Sequence, residues 1–239
     1  FTLGTNNDFT VEFWYKFGAN SVSSGGYLFD MGDNTFTVYA ASTSRLDVWG
    51  VGGTVNQGGS SVGTSVGVWH HMAVQRAGNV HTFYINGQLQ NSKTDSSNVH
   101  NFNGNKLRIG NYGGGNGGPY GQNAYYSDFR FVKGTAVYSG NFTPPSGPLT
   151  LTGGTYPSNT NVNTSIPSGN TKLLTANHSS GSYDDDSNSN HTLTASGTVQ
   201  LANGIEGAPT DLSSSSHSLS LHGDTTHTYV TPFAQGQGG

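Results

Sequence analysis

The residues best suited to chemistry in this 239-residue chain sit in one short stretch, Asp184-Asp185-Asp186-Ser187-Asn188-Ser189-Asn190. Oxygen donors at alternate positions, here Asp184, Asp186, Asn188 and Asn190, are the arrangement with which a loop wraps a hard cation, so Ca2+ is the one cofactor these residues suggest. The spacing departs from an EF-hand loop, because Ser189 stands where the turn needs Gly and Ala195 where a bidentate Glu is needed. The competing reading is an acidic turn whose side chains cap their own backbone. Asp30 and Asp33, flanking a turn, form a second and weaker cation candidate.

Catalytic constellations are hard to assemble. Cleaving a glycosidic bond takes two carboxylates held a few ångströms apart, and the chain has only Glu12 and Glu206, with no acid–x–acid pair on a strand-like segment. His70 and His71 point to opposite faces of a strand and do not share a metal; packing beside Trp69 accounts for them better. His217, His222 and His227 are irregularly spaced, and no glycine-flanked nucleophile supports a Ser–His–Asp arrangement. The chain therefore reads as a protein that is not an enzyme.

Binding chemistry is better represented. The segment GGGNGGPYG at 113–121 is no phosphate loop, since neither a Lys-Ser/Thr pair nor a helix follows it. It reads as a rim loop which, with Trp49, Asn111, Tyr112, Tyr120 and Tyr125, offers aromatic faces and an amide to a sugar ring. The alternative is that these aromatics pack on the body of the domain or against a neighbour.

Composition narrows the classes. Charged residues make up only 9% of the chain and the net charge is −4, with no basic cluster, which removes the electrostatic basis for nucleic-acid binding. No apolar run is long enough to span a membrane as a helix. An uncharged polar surface suits glycans, or other copies of the chain. The 36 glycines, with abundant Ser, Thr and Asn, imply many tight turns between short strands. The absence of Cys fits a bacterial or viral surface protein outside the cell. Residue 1 falls inside a strand-like pattern with no secretory signal, so we expect a piece of a longer chain.

The elements that must position these residues are strands. Phe9 to Phe17 alternates, with Val11, Phe13, Tyr15 and Phe17 on one face and Glu12, Trp14 and Lys16 on the other. Further strands are expected over 27–31, 35–40, 45–51, 69–76, 81–85, 106–110 and 124–132. The dipeptide Asn86-Gly87 should turn a hairpin into 88–90. A short, helical turn is expected at 134–138, and Pro144-Pro145 must be extended. Strand-like segments resume at 171–176, 191–194, 198–201, 217–222 and 227–231. No apolar period of 3.6 residues persists, so the fold class is all-β.

Taken in order, Phe9-Thr10-Val11-Glu12-Phe13-Trp14-Tyr15, Trp69-His70-His71-Met72-Ala73-Val74, Phe83-Tyr84-Ile85-Asn86-Gly87, Leu107-Arg108-Ile109-Gly110 and 126–138 resemble the laminin-G-like, concanavalin A-like lectin/glucanase jelly roll. The trailing Asn141-Phe142-Thr143-Pro144-Pro145 is similar to modules of phage and bacterial surface proteins. The resemblance implies an antiparallel β-sandwich. It also implies permuted order, because pieces that usually open such a module stand at the end here: Lys172-Leu173-Leu174-Thr175, Asp184 to Thr194, and Ser218-Leu219-Ser220-Leu221. Residues 1–152 would then be the C-terminal part of the jelly roll, 153–170 a linker or long loop, and 171–239 the N-terminal part, completing the same domain or that of the next unit. From this order we expect a repeat module or subunit of an extracellular fibre, appendage or virion surface protein, joined head to tail through shared sheets. The alternative is a carbohydrate-binding adhesin module.

Overall fold

The computed structural model describes residues 7–18, 25–31, 36–42, 45–49, 65–94, 107–111, 123–177 and 184–195. The strand candidates at 198–201, 217–222 and 227–231 lie outside them. Ten strands are described: β1 (Phe9–Phe17), β2 (Gly26–Met31), β3 (Phe36–Ser42), β4 (Arg45–Trp49), β5 (Trp69–Ala77), β6 (Val80–Ile85), β7 (Gln88–Thr94), β8 (Leu107–Ile109), β9 (Ala124–Lys133) and β10 (Thr171–Thr175). The only helical element among the described residues is a single 3-10 turn at Ser168–Asn170.

The strands form two antiparallel sheets, a six-stranded one in the order β10-β9-β1-β5-β6-β7 and a four-stranded one in the order β4-β3-β2-β8. Alternation decides which faces meet. Phe9, Val11, Phe13, Tyr15 and Phe17 of β1 are buried in one core with Phe29, Met31, Phe36, Val38, Leu46 and Val48 of the smaller sheet. Edge-to-face and stacked rings, such as Phe9–Phe36 and Phe13–Phe129, fill the space between the sheets. The chain is an all-β sandwich, as its sequence pattern implies.

The six-stranded sheet is covered on its outer face as well. Residues 134–170 run across it as a strap, and Val137, Tyr138, Phe142 and Ile166 of the strap bury Ala73, Tyr84 and Val132 of the sheet. The stretch 134–138 is not a helical turn: Tyr138 bridges to Val162, and its ring stacks on Phe142 with centroids 3.6 Å apart. The Gly- and Pro-rich residues 153–170 are a packed part of this strap, anchored by Tyr156, Val162 and Ile166.

The hairpin at Asn86-Gly87 takes positive φ at both residues, 50° and 74°, as a type I′ turn demands. The strap returns the chain beside its starting point. Asn170 Nδ2 donates to Thr135 Oγ1 at 2.9 Å, and Thr171 Oγ1 donates to the Leu151 carbonyl at 2.7 Å. β10 then pairs with β9, and its Leu173 and Leu174 are buried. Residues 191–194, read from the sequence as a strand, have no strand pairing; Leu193 packs on the main core.

Candidate binding face on the four-stranded sheet

The register of the smaller sheet sorts its residues into two sets. Phe29, Val38, Val48 and Ile109 oppose one another on the core side. One residue along each strand, Trp49, Thr37, Asp30 and Arg108 oppose one another in a row crossing all four strands on the outer side. Asp47, Tyr39 and Tyr27 form a second outer row. Arg45 stands two residues from Asp47 on the same strand and hence on the same face.

Two ion pairs fix this face. Arg45 Nη2 lies 2.9 Å from Asp47 Oδ2, and Arg108 Nη1 lies 3.3 Å from Asp30 Oδ2. The acids are wholly buried, whereas the guanidinium-bearing side chains of Arg45 and Arg108 are 41% and 24% exposed. A buried carboxylate beneath a solvent-reaching guanidinium both neutralises it and restricts its orientation. The Tyr27 and Tyr39 rings lie 4.9 Å apart, and Trp49 is 38% exposed. Gly25 helps hold this pair: a Cβ there would run into the Tyr39 hydroxyl. The outer rows thus hold one exposed aromatic side chain, Trp49, two half-buried ones, Tyr27 and Tyr39, and two arginines paired with buried acids, residue types with which proteins stack on sugar rings and bond their hydroxyls.

The aromatic residues singled out from the sequence do not gather into one site. Trp49 belongs to this face at the edge strand β4. Asn111 is exposed just after β8, at the opposite edge of the sheet. Tyr125 is exposed on β9 of the other sheet, with Lys16 Nζ 4.8 Å from its ring centroid and 5.5 Å from that of Trp69. Tyr112 and Tyr120 lie outside the described residues. Sequence reasoning missed Tyr27, Tyr39, Arg45, Asp47, Asp30 and Arg108 as a set. The polar alternation Arg45-x-Asp47-x-Trp49 was a visible signal; the register joining it to three other strands was not.

The acidic loop is organised around Asp185, the residue that the alternate-position reading leaves out. Asp185 Oδ1 accepts from the backbone N–H of Leu174 at 3.2 Å and of Ser187 at 2.8 Å. Oδ2 accepts from Ser187 Oγ at 2.9 Å and from the His191 N–H at 2.8 Å. Asp184, Asn188 and Asn190 are exposed, and Asp186 is half-buried. Among the described residues no group of three or more His, Asp or Glu side chains could hold a metal. The observed chemistry of the loop is backbone capping.

Glu12 is equally committed. It is fully buried under the strap, where Arg130 Nε and Nη2 donate to its Oε1 at 2.9 and 2.6 Å and the Tyr138 hydroxyl donates to Oε2. Burial pushes its pKa up, but Arg130, His71 and Tyr138 together outweigh this and hold it at about 2. His71 packs on this outer side, its Nε2 3.4 Å from Glu12 Oε2, while His70 contacts Tyr15 on the core side. The two rings do face apart.

Comparison with known proteins gives the class. A laminin-G-type family profile, described as the concanavalin A-like lectin/glucanases superfamily, matches residues 1–136, and the chain belongs to that superfamily. Comparison with curated proteins returns no match. Among solved structures, a candidate carbohydrate-binding protein from Bacteroides ovatus is 14% identical over 55% of this chain and 39% of its own, with a TM-score of 0.44. Domains LG4-5 of the mouse laminin alpha1 chain are 17% identical over 53% of this chain and 36% of theirs, with a TM-score of 0.41. A Trypanosoma rangeli sialidase mutant with trans-sialidase activity is 12% identical over 53% of this chain and 20% of its own, with a TM-score of 0.42. The chain thus spans well under half the length of each.

Proposed function

We propose that this chain is a non-catalytic carbohydrate-binding module of an extracellular or surface protein, and that the outer face of its four-stranded sheet is the binding surface. The observation that carries the reading is the pair of outer rows, which set Trp49, Tyr39 and Tyr27 among guanidinium groups held by buried acids. The confinement of Glu12 in an ion pair beneath the strap supports the non-catalytic part, since a sealed carboxylate reaches no substrate. Among the described residues no helix is long and apolar enough to cross a membrane. A panel of immobilised glycans is the test. Binding that falls at least about tenfold in both Trp49→Ala and Tyr39→Phe/Tyr27→Ala variants supports the assignment. No retention of any glycan at millimolar concentration, or binding unchanged in those variants, overturns it.

A second reading draws on β10. This edge strand follows the strap and pairs with β9, so in an array of copies residues 171–239 of one unit could complete the sandwich of the next. Such sharing would build the head-to-tail fibre or virion surface assembly implied by the permuted order. The bonds from Asn170 to Thr135 and from Thr171 to Leu151 favour closure within one chain instead. Sedimentation of the isolated chain decides: concentration-dependent growth of open oligomers supports sharing, and a monomer at all concentrations opposes it.

A further inference from the structure

We infer that the six-stranded sheet carries a second binding site, separate from the face proposed above, for saccharides that bear a carboxylate. The site is the outer-face row Tyr125–Lys16–Trp69. Lys16 of β1 opposes Tyr125 of β9 on one side and Trp69 of β5 on the other, and it alternates with the core residues Tyr15 and Phe17. The strap covers this sheet around Ala73, Tyr84 and Val132. The row lies further along the same strands, past Trp14, whose ring packs on His71 with centroids 5.2 Å apart. Tyr125 is exposed, and Lys16 and Trp69 are half-buried.

Lys16 brings to this row a charge that is not cancelled. Its Nζ lies 4.8 Å from the Tyr125 ring centroid and 5.5 Å from that of Trp69, and among the described residues it forms no hydrogen bond or ion pair. Arg45, Arg76, Arg108, Arg130 and Lys172, by contrast, each have an oxygen acceptor. Aromatic rings attract an ammonium through their quadrupoles but carry no net charge, so they steady Lys16 without neutralising it. The segments that adjoin the row in sequence, 19–24 after β1, 50–64 ahead of β5 and 112–122 ahead of β9, contain no Asp or Glu. The acids nearest the row on its own strands are buried and committed: Glu12 to Arg130, and Asp128 to Ser127 and the Leu149 N–H.

What the row offers defines its occupant. β1 is paired on both sides, with β9 and β5, so its backbone has no free edge for a peptide to extend, and recognition falls to side chains. The two aromatic residues stand two strand spacings apart, about 10 Å, and supply surface for the apolar faces of pyranose rings. Between them the ammonium donates to a carboxylate carried on such a ring, a charge-assisted bond for which the ligand brings the missing counter-charge. A neutral sugar gains the stacking alone.

The experiment titrates the whole chain with matched oligosaccharides, one neutral and one carrying a uronate or sialate on the same backbone, and with an oligoglutamate peptide. Lys16→Met, which keeps an unbranched side chain against the rings and removes the charge, should weaken binding of the acidic saccharide at least about tenfold and leave the neutral one unchanged. Lys16→Arg should retain the acidic saccharide, Tyr125→Ala should weaken it, and rising salt should weaken it in the unaltered chain; thermal melts confirm that the variants fold. No binding of the acidic saccharide, or binding unchanged in the folded Lys16→Met variant, overturns the inference. Acidic-saccharide binding lost in Trp49→Ala but kept in Lys16→Met also overturns it, while leaving the face of the smaller sheet standing. Oligoglutamate bound as tightly as the acidic saccharide, with the same dependence on Lys16, overturns the assignment to saccharides. Neutral-glycan binding that fails in every chain bears on the smaller sheet alone; the second site then stands on the acidic saccharide's dependence on Lys16.

Discussion

Glu12 and Arg130 face each other across the β1–β9 pairing and form a fully buried ion pair beneath the strap. Arg130 Nη1 also donates to the carbonyls of Thr150 and Gly153, and Tyr156 Oη lies 3.4 Å from Nη2. One guanidinium therefore ties two strands of the sheet to the segment that covers them. Removing one partner leaves the other charged and dry. Arg130→Met should destabilise the fold by about 3–5 kcal/mol, and the double variant Glu12→Gln/Arg130→Met by less than the single. Urea denaturation of both variants checks this. A double variant less stable than the single would show that the strap contacts, rather than the stranded charge, dominate.

Two buried carboxyls give opposite pH slopes. Glu12 is held at about 2 against an ordinary 4.5, so its stabilising contribution is complete above pH 4.5 and is lost as pH falls toward 2. Asp128 sits at a bulge of β9 and takes donors from Ser127 Oγ at 2.6 Å and the Leu149 N–H at 2.9 Å. Burial nevertheless raises its pKa from 3.8 to about 6. Its protonated form is favoured in the folded chain, so that contribution is complete below pH 3.8 and disappears as pH rises through 6. Stability should therefore increase from pH 7 to pH 5 by roughly 1 kcal/mol, and Asp128→Asn should flatten that slope. Thermal melts of both chains across this range measure it.

Gly87 is needed for two reasons that separate experimentally. Its φ is +74°, and a Cβ there would collide with the Phe142 carbonyl, to which the turn is tied by the Phe142 N–H donating to Gly87 O at 2.9 Å. Gly78 has a similar φ of +61° with nothing within 4 Å of a built Cβ. Gly78→Ala should cost about 1 kcal/mol from backbone strain alone, and Gly87→Ala clearly more. Equal losses in equilibrium denaturation would mean that the turn does not press on the strap.

How much of this was legible in the sequence follows from range. Alternation in Phe9–Phe17 is local, and so is Asn86-Gly87; both elements form where their residues indicate. The strap was unreadable because its Gly- and Pro-rich composition is that of a connector, and only its few anchors, Tyr138, Phe142, Tyr156 and Ile166, find the outer face of a sheet assembled elsewhere. Alternation set Glu12 on the strand face with Trp14 and Lys16 but not its burial, because its partner stands 118 positions away. The candidate face divides likewise. Trp49 stood out as a rim aromatic for a sugar ring, but Arg108 and Asp30 meet only through the β2–β8 register. In the acidic loop, alternation pointed to Asp184, Asp186, Asn188 and Asn190, whereas the bonds made to β10 select Asp185.

Asp185 supports the last prediction. Its carboxylate accepts four hydrogen bonds, one of them from Leu174 in β10, and Ser187 Oγ donates to the Lys172 carbonyl at 3.1 Å. The loop is thereby fastened to the outer edge of β10, the strand whose other edge pairs with β9. Asp185→Ala removes the acceptor from all four donors at once, so amide hydrogen exchange at 171–175 should accelerate by at least about tenfold while β1 and β5 stay protected. The Asp185 contacts need no cation, so Ca2+ or a chelator should leave both exchange and melting temperature of the unaltered chain unchanged. Protection of 171–175 that depends on Ca2+ would instead show that the loop acts through a bound ion. Exchange indifferent to Asp185→Ala would show that pairing with β9 alone holds β10 in place.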